Sequence, residues 1–476
     1  MRADGGRARL WLALPFGLSI AAVASLSRAQ RVASDHPLTV IVGTPAGVAV
    51  TERLDVARSN VSSVPLPSHS LRILWTRYAR PMHQPPVVLA DGTVVVVSDD
   101  GEALLVSPDG TDRGHVAMGP GPTSAPALLS DGTLVVVNAT GDVVGARLDR
   151  IAFRAHVTGA LGTSEQPEAL SHIARSPAVR QLGHHLRRAP RPRPQRDPEP
   201  ASRAWLLPLT DGGAVVAVDR ELACIDATGA IRSRASATVA VASPLVATRA
   251  GVAFVGDNGE AYTWDLRTAP DAVSARGSFG GSVDGAVVAL DDHSLLTVVP
   301  SGRLVSLDLV TGETSTRTRA AGGLGIFTGA FALEPAPRGT ALLEEMTLAG
   351  TRVVAVDPDG QETPFATLLT TQGAQRALDA GVAVFLAPSH TMLFADPGGS
   401  VAYATVDGHV GVASPTSKVE LGTLPCGSPP GPEGNPFRPN TRASAGFAGL
   451  VPAGPGAFVV ACDSGRVSFV QGAVGE

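Results

Sequence analysis

One phrase recurs along this chain and constrains the fold more than any other feature. Asp91-Gly92-Thr93-Val94-Val95-Val96-Val97 leads to Asp100-Gly101 and then to Ala103-Leu104-Leu105-Val106. Forty residues on, Asp131-Gly132-Thr133-Leu134-Val135-Val136-Val137 leads to Gly141-Asp142-Val143-Val144. Turn, apolar strand, turn and second strand at a fixed period define a repeat architecture. The second half of the phrase returns at residues 220–226, 258–262, 301–305, 349–354, 407–411 and 464–468. About eight units result. They predict an all-β, eight-bladed β-propeller with four-stranded antiparallel blades, seven blades being the alternative count.

The local chemistry fits that reading. Asp-Gly, Asn-Gly and Ser-Gly pairs supply the positive-φ turns of tight hairpins. The strand before each turn is apolar on both faces, as in Val94 to Val97, and so belongs between two neighbouring blades. Asp226-Ala227-Thr228-Gly229 and Asp308-Leu309-Val310-Thr311-Gly312 turn the chain into an outer strand. Ser124-Ala125-Pro126 and Ser243-Pro244 open innermost strands, where a missing backbone donor is tolerated. Gly (53) and Pro (38) are abundant, and no long amphipathic stretch supports a helical solenoid.

The ends and one internal segment depart from the period. Arg2, Arg7 and Arg9, an apolar run from Leu10 to Leu26, and Ser27-Arg28-Ala29 predict a signal peptide over residues 1–29. The run is short for a membrane span, and association with a membrane is at most peripheral or through an uncleaved N-terminus. Residues 30–70 form an N-terminal segment in which Leu38-Thr39-Val40-Ile41-Val42 is a candidate ring-closing strand. The propeller is assigned to 71–476, and an Arg/Pro-rich insert to 158–203. Gly350 to Gly408 is a long spacing that predicts longer loops on one face.

Candidate sites are few. Cys426 and Cys462 flank a Gly/Pro-rich loop, both in the last repeat, and are predicted to form a disulfide, leaving Cys224 free in its strand. Arg187, Arg188, Arg191, Arg193 and Arg196 form a candidate partner-binding insert. His184-His185 with His172 lacks a third ligand at convincing spacing and reads as a solvated loop. His83 and His390 have no evident acid or nucleophile partner in the sequence. Asp99-Asp100 and Asp291-Asp292 hold turn positions, where side chains cap amides, rather than a calcium site. Gly322-Gly323-Leu324-Gly325 lacks the Lys-Ser/Thr of a phosphate loop. A net charge of −5 gives no support for nucleic-acid binding.

These phrases resemble the pyrroloquinoline-quinone-type (PQQ-like) repeat family. The closest match is Gly302-Arg303-Leu304-Val305-Ser306-Leu307-Asp308-Leu309-Val310-Thr311-Gly312-Glu313, with Gly229 and Gly360 at the equivalent turn of other units. The resemblance implies an eight-bladed propeller and two branches, quinoprotein dehydrogenases and non-catalytic BamB-like propellers of outer-membrane β-barrel assembly. Adjacent cysteines, common in the dehydrogenases, are absent. The family's tryptophan after Thr-Gly, which locks blade to blade, is also absent, since Gly312 is followed by Glu313-Thr314-Ser315. The expectation is therefore a non-enzymatic, monomeric, exported protein of the periplasm or cell envelope. It binds or scaffolds an unidentified protein, uses no cofactor or metal and contacts no nucleic acid. A PQQ-dependent dehydrogenase with degenerate signatures is the alternative.

Overall fold

The structure is a computed structural model. It describes Ala49, Thr51, residues 61–157 and residues 204–474, apart from a few turn residues and the segments 319–325, 333–340, 371–391 and 427–446. Its strands form eight four-stranded antiparallel sheets, the blades of an eight-bladed propeller.

Blade one comprises β2 (Val87–Val88), β3 (Val94–Val97), β4 (Glu102–Val106) and β5 (Asp112–Ala117). Blade two follows as β6 (Ala127–Leu128), β7 (Leu134–Val137), β8 (Asp142–Arg147) and β9 (Arg150–His156). Blade three is β10 (Ala204–Pro208), β11 (Ala214–Val218), β12 (Glu221–Ile225) and β13 (Ile231–Ser236). Blade four is β14 (Val246–Thr248), β15 (Gly251–Val255), β16 (Glu260–Trp264) and β17 (Val273–Ser278). Blade five is β18 (Val288–Ala289), β19 (Ser294–Val298), β20 (Leu304–Asp308) and β21 (Thr314–Thr316). Blade six is β22 (Ile326–Ala332), β23 (Ala341–Thr347), β24 (Gly350–Val356) and β25 (Glu362–Thr370). Blade seven is β26 (Met392–Ala395), β27 (Val401–Ala404), β28 (His409–Ala413) and β29 (Lys418–Thr423).

Blade eight is built from both ends of the chain. β30 (Phe447–Gly454), β31 (Ala457–Cys462) and β32 (Arg466–Ala473) supply three strands, and β1 (His69–Tyr78) pairs with β32 as the outermost fourth. The ring-closing place expected for residues 38–42 is thus taken by β1, and 38–42 lie outside the described residues. Ahead of β1, Val61 bridges Ala395 in parallel and the Leu66 amide donates to Asp396 Oδ2 at 2.8 Å, so this stretch runs along blade seven.

The second and third strands of the blades carry the core. β3, β7, β11, β15 and β31 are buried throughout. Third strands such as β4 and β12 expose only their first residue partially, so polarity is deferred to the fourth strand rather than the third. Apolar side chains pool across blade boundaries: Val87, Val95 and Leu105 pack with Leu128 and Val136 of the next blade. Burial of this kind, at about 25 cal/mol per Å² of apolar surface, is the main force holding the ring. Blades two and three share one core through Phe153 and Leu206, so no further blade stands between them. The Arg/Pro-rich insert, residues 158–203, leaves from the outer strand β9 and lies outside the described residues.

The Ser-Pro starts follow the expected logic. The Ser124 and Ser243 hydroxyls accept from the Val137 and Val255 amides at 2.9 and 2.8 Å, completing a ladder beside strands that open on proline.

Candidate functional site

Strand reversal puts the turns between second and third strands on the same face as the links between blades. At the seam of blades eight and one, this face carries a set of ionisable side chains that the sequence left unconnected. The chain crosses the seam through residues 79–86. The Ala79 amide donates to Gly465 O at 2.8 Å and the Met82 amide to Asp463 O at 3.0 Å, both on blade eight. The Asp99 amide of blade one donates to Pro81 O at 2.9 Å. Met82 is fully buried beneath.

Side chains reinforce this crossing. His83 Nδ1 donates to Asp99 Oδ2 at 2.7 Å, which corrects the expectation that His83 lacks an acid partner. That hydrogen bond raises the His83 pKa, and the charges of Asp99 and Asp463 add to it against the opposing effect of burial. Burial pushes the Asp463 carboxyl upward, opposed by the charge of His83. The imidazole therefore answers carboxylates from two blades. Beside it, Arg80 pairs with Asp100, and its Nε lies 3.6 Å from Glu102 Oε2. The His115 ring spans Glu102 at 3.2 Å and Asp112 at 2.8 Å.

Trp75 locks the outer half of the seam. Its ring lies against Gly110 of blade one, where an added Cβ would come within 3.0 Å of three ring and side-chain atoms, and Nε1 donates to Pro108 O at 2.8 Å. Phe153 lies on Gly229 in the same way at the seam of blades two and three. An aromatic lock of the kind absent after Gly312 thus stands at two other seams. Between β1 and blade one a cleft of about 340 Å³ is lined by Thr76, Arg77, Tyr78, Leu104, Val106, Asp112 and His115.

Other acids of the repeat serve its turns. Asp100 accepts from Ser98, and Asp291 caps the amides of His293 and Ser294 at 2.8 and 2.7 Å. Asp226 and Asp308 cap the amides two residues on at 2.8 and 2.7 Å. The turn acids Asp91, Asp131 and Asp211 each cap an amide two residues on at 2.9 Å and bind Arg113, Arg147 and Arg232 through the second oxygen. The turn phrase alone does not announce this Asp–Arg pairing. Its signal is an arginine 16 to 22 residues after the turn aspartate in three successive units. Among the described residues, no group of three or more His, Cys, Asp or Glu is placed to hold a metal ion.

The other predicted sites divide cleanly. Cys426 and Cys462 form a disulfide. Cys426 lies beyond β29, in the link leaving blade seven, so the bridge joins that link to β31 rather than closing a loop within the last repeat. Cys224 is free and buried, and burial raises its thiol pKa to about 11. Trp205 Nε1 donates to Val241 O at 3.2 Å and Trp264 Nε1 to Pro270 O at 3.0 Å, which commits both indoles to the core. The candidate insert arginines Arg187, Arg188, Arg191, Arg193 and Arg196 lie outside the described residues. So do His172, His184, His185, His390, the stretch 322–325 and the candidate signal peptide 1–29.

The fold defines a class, the eight-bladed β-propellers. No family model and no curated protein matches the chain. Among solved structures, BamB from Moraxella catarrhalis is similar at 14% identity and a TM-score of 0.49, covering 85% of this chain and 98% of that one. The computationally designed Ika8 protein is similar at 12% identity and a TM-score of 0.49, covering 86% and 99%.

Proposed function

We propose that this chain is an exported, non-enzymatic propeller of the PQQ-like type that binds a protein partner, in the manner expected of a cell-envelope scaffold. One observation carries the reading. The acids that recur with the repeat are engaged in capping their own turns, in pairing with arginines of their own blade or, at one seam, in binding His83. Side chains spent this way hold a rigid ring and leave its surface to recognise other molecules. The disulfide supports an oxidising compartment. Cross-linking with mass spectrometry in intact cells tests the reading. A reproducible envelope-protein partner is the expected result. Saturable dye reduction by the purified chain with added quinone and calcium would replace it with the dehydrogenase reading.

A further inference from the structure

β1 differs from every other outer strand of the ring. It spans ten residues, pairs with β32 along one edge and ends its sheet on the other. An open edge of that length is a template for a further strand. The outer strands of the other blades blunt this hazard: their described exposed positions hold charged residues, His, Ser, Thr, Ala or Pro. β1 instead exposes Ile73 (37%), Leu74 (43%) and Tyr78 (75%). Of the large exposed hydrophobics among the described residues, Val474 directly follows β32, whose Ala473 pairs with His69, and only Val310 lies elsewhere.

Within the strand itself the charge is of one sign, and Asp112 of blade one is the carboxylate that Arg77 feels from the cleft. No acidic residue occurs from His69 to Arg80 in a chain of net charge −5, while Arg72 and Arg77 lie exposed on the strand. Arg77 is tied through Nε to Gly110 O at 2.5 Å, and Arg72 makes no ion pair among the described residues. Beside the strand opens the 340 Å³ cleft, whose lining sets Leu104, Val106 and Tyr78 among Arg77, Asp112 and His115. Side chains of an added strand alternate, so every second one turns toward that cleft.

We infer that β1 is the docking edge for an extended, acidic segment of a partner protein, which joins blade eight as a fifth strand. The segment alternates carboxylate and apolar side chains. Its acids lie on the face of Arg72 and Arg77, beside the cleft, and its apolar residues on the opposite face with Ile73 and Tyr78. A second copy of this chain does not fit, because edge-to-edge pairing sets arginines against arginines. The inference rests on the binding-module reading and assigns its surface.

The test uses the full chain and fluorescein-labelled peptides measured by anisotropy. One peptide is four repeats of Glu-Val, and the other is four repeats of Lys-Val. The Glu-Val peptide is expected to bind at least tenfold more tightly, and more weakly as salt rises. Arg72→Glu is expected to weaken it at least tenfold with an unchanged melting curve, and Val310→Asp to leave it unaltered. N-methylation at alternate residues is expected to abolish binding in one phase and spare it in the other, because only one set of amides faces the edge. Equal binding of both peptides, insensitivity to Arg72→Glu or insensitivity to N-methylation overturns the inference. So does an Arg72-dependent dimer in sedimentation, or Arg72-dependent capture by phosphatidylglycerol vesicles without peptide binding. If cellular cross-linking still yields the same partner with Arg72→Glu, the binding-module reading stands and the edge assignment falls.

Discussion

At the scale of single residues, the turns of this ring are held by carboxylates kept ionised. The Ser107 hydroxyl, followed by the Thr111 amide and hydroxyl, holds Asp109 down to about 2. Asp226 is lowered by the Thr228 hydroxyl first, and Asp308 by the Thr311 and Val310 amides. A depressed folded pKa gives stability that is present above the unfolded value and lost as pH falls toward the folded one. The melting temperature should therefore fall between about pH 4 and pH 2, and Asp109→Asn should flatten part of that decline. Glycines make a sharper contrast. At Gly101 (φ +84°) an added Cβ would lie 1.5 Å from Gly119 O, whereas at Gly132 (φ +80°) nothing lies within 4 Å. Gly132→Ala should cost only the backbone strain, about 1–2 kcal/mol. Gly101→Ala should cost clearly more in the same urea titration, because a neighbouring link must move.

At the scale of elements, the link from β1 to β2 is a pH-sensitive clasp. A raised His83 pKa means its stabilisation is complete below the unfolded value and fades as pH rises through the folded one. The raised Asp463 acts in the same direction, since ionising it where it is buried costs stability. Melting at pH 6 and pH 8.5 should show a loss at the higher pH, and His83→Gln should shrink that difference. The same elements show what the sequence could disclose. Second and third strands were legible because apolar runs end in glycine turns, as at Val94–Val97 and Gly101. β1 was not, because Arg72 and Arg77 interrupt it and a register shift between Ile73 and Trp75 spoils its alternation. Leu38–Val42 looked more like a strand than the one that closes the ring. The His83 site was hidden for another reason: it brings Asp99 together with Asp463, hundreds of residues away, and only the closed ring sets them side by side.

At the scale of the molecule, two ties hold the last blade in place. The first is the disulfide, with a sequence separation of 36. A loop of that length is worth about 3 to 4 kcal/mol in the chain-entropy model, and Cys462→Ser should lower stability by that order in denaturant titrations. Cys224 should resist thiol reagents at neutral pH until the protein unfolds, and then count as one thiol per chain. The second tie is β1. Deleting residues through Tyr78 leaves β32 as a bare edge, and the expected product melts earlier and aggregates on light scattering.

Completion of blade eight by β1 also orders the protein's birth. His69 pairs with Ala473 across some four hundred intervening residues, so the first of the described strands is among the last to be satisfied. Contacts of such span make folding slow. During the wait, a greasy ribbon is open to whatever passes, including the unfinished terminus of a sister chain, with strand exchange as the characteristic error.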